Sequence, residues 1–315
     1  MRALLLLALL VATATASAQT CTTSWTNAAG GAWTTPANWD NGVPTASSNA
    51  CITLAGTYTV TVGAFTVNSL TLGRNGGAGV QTLAVSGSMA MAGGGTIRPT
   101  GVMDWTNGYL TAGTLTSTGT VTLAGSTSIR GVQGATAVFR NEGTVTHSSN
   151  GYFYVYNNAR AENAAQWTST DDGDIVGSSG LGTFVNETGA TFTHSGAGTM
   201  QFFNGGLVVE NEGTMVATAG TIQFDRPGTH TSATFTTASG GTIRFNSNPQ
   251  TFVGTQQGAQ AGSLVMTTAF VAGAGAEWAF TGTGVEWTNN YLTDGTLLNT
   301  GLVRLTGSTS LRGML

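Results

Sequence analysis

The chain repeats itself, and the repeat restricts its folds more than any other feature does. Residues 103–132 read MDWTNGYLTAGTLTSTGTVTLAGSTSIRGV, and residues 285–314 read VEWTNNYLTDGTLLNTGLVRLTGSTSLRGM. A shorter phrase is nested within this scale: GTMQF at 198–202, GTIQF at 220–224 and GTIRF at 241–245. A strand-forming phrase that returns every twenty-odd residues predicts a solenoid, in which each coil buries its apolar side only by stacking on its neighbours.

The residues between the repeats agree with that reading. Thr, Val, Ile and Phe alternate with small or polar residues, as in Tyr58-Thr59-Val60-Thr61-Val62, which is the period of a strand with one buried side. Beyond the first eighteen residues no helical periodicity appears. An apolar landmark recurs at Ile97, Val121, Val145, Trp167, Phe192, Met215 and Phe235, and again at Val303. Seven or eight residues further on lies a second series: Trp105, Ile129, Phe153, Ile175, Met200, Ile222 and Ile243. The expected unit is therefore two short strands joined by a glycine-rich corner, with both series pointing inward. About ten such coils at ~4.8 Å per coil make a rod about 50 Å long. Asn141, Asn163, Asn186 and Asn211 precede successive first strands, and stacked amides of this kind form a hydrogen-bonded ladder. The fold class expected is all-β: a right-handed parallel β-helix (β-solenoid). A β-sandwich or propeller fits less well, since its sheets or blades run to 40–50 residues or more.

Composition narrows the function classes. Arg2, the apolar run Leu4 to Val11 and the small residues Ala16-Ser17-Ala18 have the layout of a secretory leader, assigned here to residues 1–18. That apolar run is too short to span a bilayer, and no second long one follows, so no membrane insertion is expected. With 10 Lys+Arg against 14 Asp+Glu the net charge is −4; removal of Arg2 makes it −5 (9 against 14). All ten basic residues are arginines. A chain without a basic patch lacks the main driving force for nucleic acid or anionic lipid. Cys21 and Cys51 are the two cysteines, and in an exported chain a disulfide between them is the expectation. It would close a loop of about 30 residues, worth about 3 kcal/mol in the chain-entropy picture.

The segment 19–75 differs from the rest. Trp25, Trp33 and Trp39, both cysteines, Pro36 and Pro44 fall within it. A solenoid needs its first coil covered, at both its apolar end and its unpaired strand edge, and a Trp-rich, disulfide-closed β cap would do so. Residues 76–315 then carry the coils. The opening SWTNAAGGAWTTPANWDNGVPTASSNACITLAGTYTVTVGAFTVNSLTLG resembles that of secreted bacterial β-solenoid surface proteins of the autotransporter-passenger and filamentous-haemagglutinin type. The resemblance is close over the opening and one of style over 76–315. It implies display or adhesion at a cell surface and not a reaction; the partner expected is carbohydrate or protein at that surface.

Three clusters invite a chemical reading. Asp171, Asp172 and Asp174 fall at a corner where other coils carry Ser, Gly or Ala. A solvated acidic turn is the plain reading; a calcium site is the alternative, and a catalytic carboxylate pair on a β-helix the third. His147 and His194 occupy equivalent places two coils apart, about 10 Å, which is too far to share a metal ion and suits structural roles. In Tyr152-Phe153-Tyr154-Val155-Tyr156, inward Phe153 and Val155 leave Tyr152, Tyr154 and Tyr156 pointing outward as an amphipathic stripe, a composition favoured at binding surfaces. Trp105 and Trp287 fall on the inward parity and read as core, and the sequon at Asn186 falls in the asparagine series. The function expected is a non-enzymatic adhesin or extracellular structural protein. An extracellular polysaccharide hydrolase or lyase is the alternative, to be recognised by Asp171 and Asp174 sharing a groove with Arg130, Arg140 or Arg160. The second long repeat stops short of the continuation GATAVFRNEGTV that follows the first, which reads as a truncated chain with a further C-terminal module.

Overall fold

The computed structural model describes residues 20–131, 136–148, 150–246, 249–288, 291–308 and 310–311. The leader assigned to 1–18 lies outside them. Among the described residues there is one short 3-10 turn, Pro36–Asn38, and no α-helix. The strands stack in parallel as a β-solenoid of about 11 turns. Pairing runs parallel from Thr23↔Ala50 at one end to Tyr291↔Ser310 at the other.

Each coil contributes three strands, where the sequence suggested two. Thr120–Leu123, Thr127–Arg130 and Ala137–Asn141 form one coil. Thr144–His147, Phe153–Tyr156 and Ala159–Asn163 form the next, and the two sets pair strand for strand. The rod thus has three faces, called here first, second and third in chain order. Corners supply the missing distinction. A face change after four or five residues leaves no periodic mark in the sequence, because inward and outward residues alternate on every face alike.

Val121, Val145, Trp167, Phe192, Met215 and Phe235 stack in one inward file on the first face, each 0% exposed. Met103, not Ile97, occupies the preceding rung; Ile97 lies on the third face against Leu72 and Ser117. Trp105 likewise belongs to the first face, against Val85 and Leu123. Val303 stacks on Val285 of the second face. The series from Trp105 to Ile243 mixes several files: Ile129 stacks on Val155, Phe153 on Ile175, and Met200 on Ile222. A slip of two residues keeps a side chain inside while moving it to the next file, so these positions are buried as expected but not stacked as expected. Trp105 and Trp287 are core, at 0% and 6% exposure.

Like residues on successive rungs meet face to face. Phe202, Phe224 and Phe245 stack with ring centroids 5.0 and 4.9 Å apart and interplanar angles of 8° and 13°, close to the strand spacing itself. Corner geometry is equally confined. Gly113 turns the chain from the second to the third face at φ +81°, and a Cβ there would stand 1.7 Å from the Met91 carbonyl oxygen; no other residue fits.

The asparagine ladder forms. Asn141, Asn163, Asn186 and Asn211 are fully buried, and the Nδ2 groups of Asn141, Asn163 and Asn186 each donate to the next asparagine's Oδ1 at 2.8 Å. The same Nδ2 groups of Asn141, Asn163 and Asn186 also donate to the carbonyls of Gln166, Thr191 and Thr214. One amide therefore ties the end of the third face to a first-face strand two along the chain, at the corner stacked directly above, satisfying polar groups that no water reaches. Ser117 and His230 hold the equivalent positions beyond its two ends.

At the N-terminal end, Trp25, Trp33 and Trp39 are 2%, 3% and 5% exposed. Trp39 packs edge-on against both Trp25 and Trp33, and Trp33 stacks on Phe65 of the second face at 4.9 Å. Cys21 and Cys51 are joined by a disulfide. Regular rungs begin inside the 19–75 segment: Asn49–Ile52, Tyr58–Val62 and Phe65–Val67 already pair with the coil above.

Trp167→Ala should lower stability by about 3–5 kcal/mol through the cavity it opens between Val145 and Phe192, while outward Thr168→Ala changes it by less than about 0.5 kcal/mol. Chemical denaturation of both variants checks this; equal effects would contradict the inside–outside assignment.

Candidate functional site

The second face carries an aromatic patch. Parallel register sets outward residues in files just as it does inward ones, and one outward file runs Tyr109, Ser128, Tyr154, Val176 and Phe203. Phe153 and Val155 are fully buried, so alternation turns Tyr152, Tyr154 and Tyr156 outward. Tyr152 is 39% exposed, and Tyr154 and Tyr156 are half-buried. The Tyr152 ring lies edge-on to both Tyr154, at 5.5 Å, and Phe203, at 6.0 Å. Val176, on the rung between Tyr154 and Phe203, is consequently only 2% exposed. The rings thus brace one another and leave an amphipathic surface. Burial and the neighbouring Tyr152, Tyr156 and Tyr109 raise the Tyr154 hydroxyl's pKa, which keeps it a neutral donor and acceptor at ordinary pH.

Two further contributors join the patch: Tyr109, and Arg130, which the sequence suggested only as a groove partner for Asp171 and Asp174. Arg130 lies over the Tyr109 ring, 4.3 Å from its centroid, a cation–π geometry. Both residues sit one or two coils from Tyr154, so only the stacking register, which aligns Tyr109, Ser128 and Tyr154, could have joined them.

Carboxylates stand along the opposite edge of the patch. Asp174 precedes Ile175 as Tyr152 precedes Phe153, so the two share a register position. Its Oδ1 accepts from the Gln201 N–H at 2.7 Å. Burial raises its pKa to about 6, against the lowering effect of the Gln201 N–H, with Asp172 and Asp225 adding to the rise. Asp172 turns over Gly198 of the next coil, and Asp171 is exposed. Among the described residues no three His, Cys, Asp or Glu side chains converge to hold a metal ion.

Arg140 and Arg160 lie elsewhere, on the third face. Arg140 donates to Glu142 and Glu162 at 2.8 and 2.9 Å and also pairs with Glu187. Arg160 pairs with Glu162 and Glu210. Glu187 first, then Glu142, raise the Arg140 pKa. These arginines serve a cross-coil ion-pair network and share no groove with Asp171 or Asp174.

The histidines are interior. His147 and His194 flank Ser169 in one inward file of the first face, and His230 continues the asparagine positions; all are fully buried. Burial lowers the pKa of each, to about 4 for His147 and His230, so they are neutral at pH 7. His230 Nε2 meets Gln250 Oε1 at 3.0 Å.

No protein-family model, curated protein or solved structure matches the chain. The β-solenoid architecture is thus established without a family to attach it to.

Stability should fall as pH drops from about 6.5 towards about 4, since the unfolded chain binds protons on His147 and His230 that the folded chain excludes. Asp174 works the other way: its raised folded-state pKa lets the folded chain bind a proton first, adding stability as pH falls through about 6. Asp174→Asn should therefore lose stability more steeply on acidification than the unaltered protein. Melting temperatures at pH 7 and pH 4.5 test this, and parallel losses would refute it.

Proposed function

We propose that the chain is a secreted, non-enzymatic adhesin whose rod presents the second-face tyrosines to carbohydrate or protein at a cell surface. The observation that carries this reading is the outward, solvent-accessible row Tyr152, Tyr154 and Tyr156 on a rigid strand. Tyrosine supplies a large amphipathic contact at little entropic cost, because the ring has few rotamers to lose. Here the cost is lower still, since Tyr152 is already held by Tyr154 and Phe203. Export is supported by the leader-like residues 1–18 and is compatible with the Cys21–Cys51 disulfide. The likeness of the opening to autotransporter passengers points the same way. No helix among the described residues is long and apolar enough to cross a membrane. Repetition of such rods on one surface would multiply weak contacts.

A polysaccharide hydrolase or lyase is the second reading, favoured only by the raised pKa of Asp174. Of the arginines expected to share its groove, Arg140 and Arg160 are bound by glutamates on another face, and Arg130 lies at the far edge of the tyrosine row from Asp174.

Simultaneous Tyr152→Ala, Tyr154→Ala and Tyr156→Ala should reduce binding to a printed array of polysaccharides and extracellular-matrix proteins by about tenfold or more. The melting temperature serves as the folding control. Undiminished binding by a folded variant, or no binding by the unaltered protein, would sink the adhesive reading.

A further inference from the structure

Arg130 makes no ion pair among the described residues, in contrast to Arg140 and Arg160 on the third face. Its guanidinium lies against Tyr109, its Nε is buried without a hydrogen-bond acceptor, and Tyr156 holds the same register position one coil on. A guanidinium set against an aromatic ring keeps in-plane N–H donors at its terminal nitrogens for a second, planar anion, and carboxylate is the matching shape. The chain's own carboxylates do not provide it. Asp174 and its neighbours Asp171 and Asp172 stand at the Tyr152 edge, four residues along the strand from Tyr156, or about 13 Å. One edge of the tyrosine row therefore attracts an anion and the other repels it.

We infer that the patch receives a carboxylated polysaccharide, one containing uronic acid residues, with pyranose faces on Tyr152, Tyr154 and Tyr156 and a sugar carboxylate on Arg130. The inference rests on the adhesive reading and gives it a ligand class. Charge complementarity selects the carboxylate and its position. The Asp174 edge accepts hydrogen bonds from sugar hydroxyls while turning carboxylates away. The row is one strand long and a few rungs wide, with Val176 and Ser128 beneath it nearly covered. That suits a linear chain better than a protein, whose stable interfaces bury about 800 Å² per partner around an apolar centre.

Calorimetry of the whole protein with polygalacturonate and with neutral dextran, in chelator-containing buffer, tests the inference. Polygalacturonate should bind and dextran only weakly, and added salt should weaken the former. Arg130→Gln should lose about tenfold or more in polygalacturonate affinity with its melting temperature unchanged. Arg130→Lys, which keeps the charge without the fork, should fall between. Equal affinity for both polysaccharides, or an Arg130→Gln variant that binds like the unaltered protein, would overturn it. So would array binding confined to proteins. If the tyrosine variant loses array binding while Arg130→Gln retains it, only the acidic-glycan inference fails; if the tyrosine variant keeps its binding, both fail.

Discussion

Parallel stacking at one strand spacing is the constraint on which the rest of the molecule depends. Every residue has a fixed neighbour about 4.8 Å above and below it, so each position is chosen for company with its counterparts. Inside, this rewards shape repetition: Phe202, Phe224 and Phe245 lie ring on ring. At corners it removes all tolerance, because another coil's backbone occupies the space a side chain would need, as Met91 does beside Gly113. Few charges are needed, since the stack supplies both the apolar core and the backbone hydrogen bonds.

Polar interior residues obey the same constraint. A lone buried amide would leave donors and acceptors unmet, at a cost of about 1–3 kcal/mol. Stacked asparagines meet one another's needs: Asn141, Asn163 and Asn186 each donate to the next amide oxygen and also reach a corner carbonyl, and Asn211 closes the run as the last acceptor. Where the run ends, the neighbouring rungs change chemistry to Ser117 and His230. Buried neutral histidines are the price of such substitutions, and they make the interior sensitive to acid.

Outside, stacking converts sequence-distant residues into continuous surfaces. The third face gathers Arg140, Arg160 and their glutamates into a self-neutralised network. The second face gathers Tyr109, Arg130, Tyr152, Tyr154, Tyr156 and Phe203 into a surface whose cation lies on a ring and makes no ion pair among the described residues. Two faces of one rod thus have different chemistry.

The sequence by itself determined the all-β class, the repeating rungs, the buried side of each strand, the asparagine ladder and the outward tyrosines, because strand parity and the size of the repeat are local properties. Phe153 and Tyr154 declare their sides within a few residues. Which face a phrase occupies was decided only by the tertiary structure. Met103 and Trp105 of the first long repeat lie on the first face, whereas Val285 and Trp287, their counterparts, lie on the second. Similar segments are rotated by one face because corner lengths accumulate along the chain. Parity survives a shift of two residues, whereas register does not, and so the partners of Tyr154 and the position of Arg130 could be known only once the coils were stacked.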